Sequence, residues 1–412
     1  MIIRAIEASI HEAMNDTPVV LINGARQTGK STLARRVAER AGSARYVSLD
    51  ESSALTSAQS DPGGFIDGFS GLVVIDEIQR VPDLFRAIKA AVDRNRAPGR
   101  FLLTGSADIM MLPRLSESLA GRMEIMTLWP FSQGELRGLP GHFVDTLFDG
   151  SIGVAGRVAE PVPRDPEVWG RILMGGYLEV VARTSEARRR AWFDAYVTTV
   201  LQREIRDIAN IDGLQELPRL LAILAARMTQ TVNYASLARS AGLPQTTLKR
   251  YVRLLEASFL VQLLPAWSAN LGKRLVTAPK VILVDSGLAA HLVGLRSVDA
   301  LRDQPHIGPL FENYVAMEIR KQITWSSLKP KLFHFRTSDG QEVDLVLEDA
   351  SGRLVGIESK ASATVLRRDF NGLAALKALA PERFVRGVVL YTGSEVVPFG
   401  RDLYAVPVGR EL

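Results

Sequence analysis

A glycine-rich segment that ends in a lysine and a serine is the first place in this sequence where residue type and spacing point to chemistry. It reads Gly24-x-x-x-x-Gly29-Lys30-Ser31 and lies between an apolar run, residues 19–22, and a segment with helical spacing. Glycines permit a backbone in which several N–H groups point at one anion at the start of a helix. The lysine of such a loop reaches the β- and γ-phosphates of a nucleotide, and the serine hydroxyl binds Mg²⁺. The residues predicted to surround the phosphates are Gly24, Ala25, Arg26, Gln27, Thr28, Gly29, Lys30, Ser31 and Thr32.

Two carboxylates follow a second apolar run. Residues 72–75 are apolar, and Asp76 and Glu77 come directly after them. A continuous apolar run is typical of a parallel strand that is buried on both faces, and the carboxyl end of such a strand faces the nucleotide. We interpret Asp76 as the residue that holds Mg²⁺ together with Ser31, and Glu77 as the residue that orients and deprotonates the attacking water.

Composition limits the class of protein and the kinds of site. The chain has 412 residues, of which 47% are hydrophobic and 23% charged, which predicts two to three globular domains. It contains no cysteine, and its five histidines form no ligand-spaced pair, so a metal site must be built from carboxylates. The net charge of +5 is compatible with a polyanionic partner. No apolar run is long enough to span a membrane and no signal-peptide core precedes the first motif, so we expect a cytoplasmic protein without a membrane partner.

The order of the motifs resembles one known family. Strands that alternate with helices at this spacing predict a parallel sheet with right-handed crossovers. The segments that carry the resemblance are the phosphate-binding loop, Leu-Asp-Glu at 49–51, Val-Ile-Asp-Glu-Ile-Gln at 74–79, Leu-Leu-Thr-Gly-Ser at 102–106, Ser-Leu-Ala-Gly-Arg at 118–122 and Leu-Trp-Pro-Phe-Ser at 128–132. This order is similar to that of prokaryotic AAA-type ATPases with a C-terminal DUF4143 region. The resemblance implies an α/β P-loop core that uses ATP and Mg²⁺.

Hydroxyls and an arginine complete the candidate catalytic set. Thr104 and Ser106 follow the apolar strand 101–103, a position that senses the γ-phosphate in nucleotide hydrolases of this layout, although either hydroxyl could instead cap the next helix. The resemblance makes Arg122 a candidate arginine finger in a homo-oligomer or a phosphate sensor, and a structural ion pair is the alternative. Arg114 and Arg26 are weaker candidates for the same role.

The middle of the chain contains a pattern typical of a winged helix-turn-helix. Two segments with helical spacing, 233–238 and 245–256, flank a turn that contains Gly242, and a strand-like segment, 259–264, follows them. As a DNA-reading unit it would place Gln245, Thr246, Lys249 and Arg250 in a groove. Winged helices also serve as lids and assembly modules in ATPases, so both interpretations stay open. The arginine-rich stretch 188–208 is compatible with phosphate contacts or with a solvated helix face.

A second set of acidic residues lies near the C-terminus. Asp344 and Glu358 are predicted on neighbouring strands of a hairpin that turns near 351–352, with Lys360 on the same side as Glu358 and Glu312 on a preceding helix. This set resembles the four motif positions of the PD-(D/E)XK nuclease-like fold, which implies a second Mg²⁺ or Mn²⁺ held by Glu312, Asp344 and Glu358, with Lys360 as catalytic partner. Val343 stands where that motif has proline. Acids on an exposed edge hairpin are the alternative.

These observations predict a multidomain ATPase. The expected parts are a P-loop ATPase core, a linker or lid connection, a helical and winged-helix domain and an α/β nuclease-like domain, at 1–136, 137–168, 169–270 and 271–412. The leading hypothesis is an ATP-hydrolysing protein that acts on or near DNA or RNA and carries a metal-dependent nuclease site. The alternative is a nucleotide-controlled switch or assembly protein whose C-terminal domain is a non-catalytic module that binds a protein partner.

Overall fold

The computed structural model describes residues 2–42, 44–106, 119–149, 167–205, 214–270, 272, 274, 277–301 and 304–412. The chain divides into two compact units. The first consists of Met1–Pro130, Thr198–Leu214 and Arg253–Leu260, and the second of Phe131–Val197, Gln215–Val252 and Val261–Leu412. Three predictions concern residues outside the described ranges, namely Arg114, the stretch 150–166 of the expected linker and the end of the arginine-rich stretch, 206–208.

The first unit is built on a parallel sheet with helices on both faces. Its five strands have the order β2-β3-β4-β1-β5, and every neighbouring pair is parallel. This confirms the predicted α/β fold with a parallel P-loop-type sheet. The strands are β1 Val19–Asn23, β2 Arg45–Ser48, β3 Val73–Asp76, β4 Phe101–Gly105 and β5 Met123–Thr127. The helices are α1 Glu7–Met14, α2 Lys30–Ala41, α3 Ser52–Ser60, α4 Pro62–Asp67 and α5 Leu84–Arg94.

The apolar runs of the sequence are explained by the two faces of this sheet. In β1, Val19 and Leu21 pack into one hydrophobic core, and Val20 and Ile22 pack into the other. Because successive side chains of a strand point to opposite faces, a strand that is covered on both sides needs apolar residues at every position. The N-terminal helix α1 contributes Ile10 and Ala13 to the second core.

The remaining elements follow the first sheet in the chain. The helices are α6 Gln133–Leu136, α7 Phe143–Asp149, α8 Val168–Met174, α9 Leu178–Val181, α10 Glu186–Thr199, α11 Leu217–Ala226, α12 Tyr234–Ala241, α13 Gln245–Ala257, α14 Ser286–Leu292, α15 Ile307–Ile323, α16 Asn371–Leu379 and α17 Val408–Glu411. The strands are β6 Val261–Leu264, β7 Lys280–Leu283, β8 Lys331–Arg336, β9 Glu342–Glu348, β10 Leu354–Lys360, β11 Phe384–Tyr391, β12 Val397–Pro398 and β13 Leu403–Pro407. A single 3₁₀ turn, Ile78–Arg80, lies between β3 and α5, and the later single turns of 3₁₀ or π type are Val200–Glu204, Leu214–Glu216, Asp299–Leu301 and Arg367–Phe370.

The second unit contains a mixed six-stranded sheet. Its order is β12-β13-β11-β10-β9-β8, and β6 and β7 form a separate antiparallel pair. The hairpin predicted around 351–352 is present, because β9 and β10 are antiparallel and Leu345 pairs with Ile357. Asp344 and Glu358 are the next residues after this pair, so they lie side by side on the two adjacent strands. None of the helices in the described ranges combines the length and hydropathy needed to cross a bilayer.

Candidate functional site

The glycine-rich loop joins the end of β1 to the start of α2. Its backbone has positive φ at Gly24 (147°), Gln27 (62°) and Gly29 (90°), and α2 begins at Lys30. A side chain at position 24 is excluded, because a Cβ there would lie 2.2 Å from the carbonyl oxygen of Leu128. The sequence therefore needs glycine at this position for steric as well as conformational reasons.

Lys30 is buried inside the loop that it terminates. Its Nζ donates hydrogen bonds to the carbonyl oxygens of Gly24 at 3.0 Å and Ala25 at 2.8 Å. Thr28 donates through Oγ1 to the same Ala25 oxygen at 2.9 Å. These bonds hold the ammonium group within the curve of the loop, where it would meet the phosphates of a nucleotide. Arg26, Gln27 and Thr32, which were also predicted to bind the nucleotide, are exposed.

An arginine to which the sequence analysis assigned no role supports the loop from outside. The guanidinium of Arg4, just before α1, donates to the Thr28 carbonyl oxygen at 3.0 Å and to the Trp129 carbonyl oxygen at 2.7 Å. Arg4 is 7% exposed. A buried arginine with two backbone acceptors fixes the position of the segments that it joins, so Arg4 ties the phosphate-binding loop to the segment after β5.

Asp76, the last residue of β3, accepts hydrogen bonds from three hydroxyl groups. Ser31 donates to Oδ1 at 3.0 Å, Tyr46 donates to Oδ2 at 2.8 Å, and Thr104 also donates to Oδ1. The structure thus brings the predicted Mg²⁺ ligands Ser31 and Asp76 together. The three hydroxyl donors carry no charge, and the positive charge of Arg35 also interacts with Asp76.

Tyr46 is a member of this group that sequence reasoning missed. Burial raises the pKa of its hydroxyl to about 12, against the opposing effect of a hydrogen bond with Arg35, and the hydrogen bond to Asp76 acts in the same direction as burial. Tyr46 therefore remains a neutral donor near neutral pH. The guanidinium of Arg35, on α2, lies 4.6 Å from the centre of the tyrosine ring. An aromatic residue in a strand that ends beside the loop was the available sequence signal.

Glu77 has a left-handed backbone conformation, with φ 60°. Its N–H donates to Thr104 Oγ1 at 3.1 Å, so Thr104 contacts both acidic residues. Gln79 donates through Nε2 to the Glu77 carboxylate and to Ser106 Oγ, the latter at 3.0 Å. Strained backbone in a non-glycine residue is concentrated at functional sites, and here it turns Glu77 away from the strand direction. Ser106 therefore acts on Glu77 through Gln79, a residue that the sequence analysis did not single out.

Arg122 lies at the amino-terminal ends of the strands, opposite to the ends that face the phosphate-binding loop. Its backbone carbonyl accepts a hydrogen bond from the N–H of Val19, the first residue of β1, whereas the phosphate-binding loop follows the last residue. A five-residue strand is about 16 Å long. The Nε of Arg122 donates to Asp93 at 2.6 Å. The ion pair with Asp93 is the alternative that the sequence left open, and the interpretation of Arg122 as a phosphate sensor stays a prediction. A role as arginine finger toward a neighbouring subunit stays a prediction.

The C-terminal acidic residues surround a lysine that the sequence analysis did not consider. Lys280, the first residue of β7, has its Nζ 2.7 Å from Glu312 Oε1, 2.6 Å from Glu342 Oε1 and 3.5 Å from Asp344 Oδ1. Its side chain is 2% exposed. We call Lys280, Glu312, Glu342, Asp344 and Glu358 the carboxylate–lysine cluster. Within the described ranges, no group of three or more His, Cys, Asp or Glu residues has an arrangement that could hold a metal ion.

The predicted partner lysine lies at the edge of this cluster. The Nζ of Lys360 is 3.8 Å from Asp369 Oδ1, and its side chain is 38% exposed. Asp344 accepts a hydrogen bond from the N–H of Ser359 at 2.9 Å. The buried ammonium group among these acids belongs to Lys280, while the charge of Lys360 lowers the pKa of Glu358. The role of Lys360 as catalytic partner stays a prediction. The arrangement gives no support to the assignment of Glu312, Asp344 and Glu358 as metal ligands.

Burial and mutual repulsion change the acid strengths in the cluster. Burial, together with the charge of Asp344, raises the pKa of Glu312 to about 8, against the opposing effect of Lys280. The same two causes raise the pKa of Glu358 well above its ordinary value. Burial alone would lower the pKa of Lys280, but the charges of Asp344, Glu312 and Glu342 outweigh it and raise that pKa. Lys280 is accordingly a permanent cation in this environment.

The predicted helix-turn-helix segment has the expected helices. Asn233 caps α12 by accepting a hydrogen bond from the Ser236 N–H, and Gly242 ends the helix in a left-handed conformation. The four residues proposed for groove contact, Gln245, Thr246, Lys249 and Arg250, are exposed on α13. The strand after α13 is β6, which pairs with β7.

Comparison with known proteins places these features in a family. Family models match residues 16–137 as an AAA domain, 166–299 as a domain of unknown function (DUF8612) and 307–410 as a domain of unknown function (DUF4143). Two relatives, Uncharacterized protein Rv2008c of Mycobacterium tuberculosis and Uncharacterized protein Mb2031c of Mycobacterium bovis, are each 33% identical over 407 residues, which is 98% of this chain and 83% of theirs.

Solved structures with a detectable likeness include two ATP-related proteins. The Walker-type ATPase PabY2304 of Pyrococcus abyssi has a TM-score of 0.42 at 13% identity, covering 70% of this chain and 94% of its own. AMPPCP-bound DnaA from Aquifex aeolicus has a TM-score of 0.30 at 14% identity, covering 61% and 85%. From the domain matches and the near full-length relatives, together with the parallel sheet and its glycine-rich loop, we conclude that the chain belongs to the family of prokaryotic AAA-type P-loop ATPases with a C-terminal DUF4143 domain.

Proposed function

We propose that the first unit binds ATP with Mg²⁺ and hydrolyses it. The proposal rests on two motifs that meet at the carboxyl ends of the parallel strands. There the Ser31 hydroxyl donates to Asp76, and the ammonium group of Lys30 is buried in the adjacent loop. A P-loop serine and a carboxylate at a strand end are the protein groups that hold Mg²⁺ in P-loop hydrolases. The donor set is made of oxygens, which suits this hard cation.

Each residue then has a defined task. The N–H groups of the loop and the Lys30 ammonium would bind the phosphates. Ser31 and Asp76 would hold the metal, which would supply positive charge beside the phosphate oxygens. Glu77 would accept a proton from the attacking water. Gln79 orients the Glu77 carboxylate, and Thr104 fixes the distance between Asp76 and Glu77 by contacting both.

Two substitutions separate binding from hydrolysis. Lys30→Ala should abolish detectable ATP binding, because the phosphates lose their main cation. Glu77→Gln should bind ATP normally and hydrolyse it about 10²- to 10⁴-fold more slowly, because only the base is lost. Binding is measured with a fluorescent ATP analogue and turnover by phosphate release. Equal turnover in Glu77→Gln and the unaltered chain would remove Glu77 from its proposed role.

A second candidate function is binding to duplex DNA through α13. It is favoured by the exposure of two polar and two basic side chains on the first turns of this helix, Gln245, Thr246, Lys249 and Arg250. If Lys249 and Arg250 each neutralise a phosphate, the negative slope of log affinity against log salt should become less steep by about 1.8 when both are replaced by alanine. Fluorescence anisotropy with a labelled duplex measures this slope. Unchanged affinity would favour use of the helix as a lid or assembly element.

The hypothesis also covers the domain limits, the assembly of the chain and the C-terminal domain. The domain limits at residues 136, 168 and 270 stay a proposal. A homo-oligomer that shares Arg122 between subunits also stays a proposal, to be tested by mixing variants. The nuclease hypothesis is disfavoured by the carboxylate–lysine cluster, which supports the alternative of a nucleotide-controlled switch with a non-catalytic C-terminal domain.

A further inference from the structure

Three carboxylates of the second unit converge on one buried point, and that point holds a side chain of the same protein. The oxygens of Glu312, Glu342 and Asp344 lie 2.7, 2.6 and 3.5 Å from Lys280 Nζ. They come from α15 and β9, while Lys280 comes from β7. Carboxylates from separate elements repel each other unless a cation lies between them. The cation required by this arrangement is therefore present as an ammonium group.

The backbone around Lys280 fixes this placement. The N–H of Thr229 donates to the Val281 carbonyl oxygen at 2.7 Å, and the Val281 N–H donates to Gln230 at 3.1 Å. A β-bridge also joins Thr231 to Lys280. Lys280 thus begins a strand that is held on both sides, by this segment and by β6. A lysine on a fixed backbone, with 2% of its side chain exposed, cannot move into solvent without opening the packing.

We propose that Lys280 is the resident cation of the carboxylate–lysine cluster and excludes a divalent metal ion from it. An ammonium group matches a metal ion in charge sign but not in chemistry, since it has three N–H donors and no vacant coordination position. It therefore cannot lower the pKa of a bound water or act as a Lewis acid on a phosphodiester. The DUF4143 domain consequently neither binds Mg²⁺ or Mn²⁺ at this cluster nor cleaves nucleic acid there. This inference is independent of ATP hydrolysis, which uses residues of the other unit.

The test compares metal binding by four full-length proteins without nucleotide. They are the unaltered chain, Asp344→Asn, Lys280→Met and the double variant. Methionine is close to lysine in length and lacks the charge, so Lys280→Met leaves the carboxylates without their cation. Mn²⁺ is titrated and free Mn²⁺ is measured by electron paramagnetic resonance. Asp344→Asn is the matched control, because it alters the cluster and leaves the Asp76 site unchanged.

The unaltered chain and Asp344→Asn should bind the same amount of Mn²⁺. Lys280→Met should gain one additional site, which the double variant lacks. The thermal midpoint of Lys280→Met should be about 5–10 °C lower without metal, because the charges of Asp344 and Glu342 lose their ammonium partner, and Ca²⁺ should recover much of this loss. Ca²⁺ should shift the thermal midpoints of the unaltered chain and of Asp344→Asn by the same amount.

Two outcomes would overturn the proposal. One is a Mn²⁺ site in the unaltered chain that disappears in Asp344→Asn, a comparison that needs no change at Lys280 and remains valid if Lys280→Met does not fold. The other is a folded Lys280→Met that binds no additional Mn²⁺ at millimolar concentration. Lys280→Arg, which keeps the charge, should resemble the unaltered chain. ATP turnover measured in parallel shows whether the nucleotide site is intact, so a failure of this proposal is distinguishable from a failure of the proposed ATPase activity.

Discussion

The nucleotide site and the carboxylate–lysine cluster both place an aspartate of a strand among hydrogen-bond donors, but the donors differ in charge. Asp76 accepts from the hydroxyls of Ser31, Tyr46 and Thr104, all of them neutral. Asp344 lies 3.5 Å from the ammonium of Lys280 and accepts from a backbone N–H. A carboxylate with neutral donors keeps its charge for a cation from solution, whereas one beside an internal ammonium is already compensated. The type of donor therefore predicts which of two acidic sites depends on an added metal.

The largest expected effect separates the two aspartates by activity. Asp76→Asn should lower ATP turnover by at least about 10²-fold, because the metal loses its charged protein ligand. Asp344→Asn should leave turnover within about twofold of that of the unaltered chain, because the carboxylate that it removes belongs to the other unit. Phosphate release at saturating Mg²⁺ measures both. A loss of similar size in the two variants would contradict the assignment of hydrolysis to the Asp76 site.

A smaller effect should follow from the hydroxyl that joins the two acidic residues of the nucleotide site. Thr104→Val removes the donor to Asp76 and the acceptor for the Glu77 N–H, at a cost of about 1–3 kcal/mol for an unsatisfied buried group. Turnover should fall roughly 5- to 100-fold. Thr104→Ser keeps the hydroxyl and is the matched control. If valine and serine variants behave alike in steady-state kinetics, the hydroxyl is not what matters.

The acidic cluster, in contrast, should show its effect on stability as pH changes. The pKa of Glu312 is about 8 in the folded chain against an ordinary value of 4.5. Between these values the folded state binds more protons than the unfolded state, so the stabilisation from Glu312 is complete below the ordinary pKa and is lost as pH rises through the folded one. Glu312→Gln should therefore flatten the decline in free energy of unfolding between about pH 5 and about pH 8. Urea unfolding at a series of pH values measures this slope, and parallel slopes would contradict the prediction.

The smallest expected effect concerns Arg122. Its ion pair with Asp93 is partly exposed, with 27% and 45% of the two side chains accessible, and such pairs contribute about 0.2–1 kcal/mol. Arg122→Gln and Asp93→Asn should each reduce stability by this amount, and a double-mutant cycle should show coupling between them. Turnover should change less than about twofold. A loss near 10³-fold that is partly restored by mixing with Glu77→Gln protein would instead identify Arg122 as a finger between subunits.

The fold of the first unit was predictable because its signals are local. Each apolar run is a strand, and alternate residues of β1 pack into two different cores, as expected for a sheet covered on both faces. The hairpin of β9 and β10 was predictable for the same reason, since its turn residues and apolar runs are consecutive. Predictions of family membership and of a parallel sheet are confirmed. The individual roles of the site residues stay predictions.

The partners of those residues were not predictable. Tyr46 reaches Asp76 across 30 positions, Arg4 reaches Trp129 across 125, and Lys280 reaches Asp344 across 64. None of these separations along the sequence corresponds to a helical or strand period, so no local pattern indicates the contacts. A lysine that directly precedes the apolar run 281–284 was the one available hint of a buried charge.

The sequence by itself determined where the chain can form a phosphate-binding loop, because Gly24, Gly29 and Lys30 act through a backbone geometry set by neighbouring residues. It also determined that carboxylates end β3 and face each other on β9 and β10. Only the tertiary structure decided what surrounds those carboxylates, because a donor from another element arrives through packing and not through spacing. In the folded chain three neutral hydroxyls contact Asp76, whereas the ammonium group of Lys280 lies beside Asp344, and the charge of its hydrogen-bonding partners changes the affinity of a carboxylate for a metal ion.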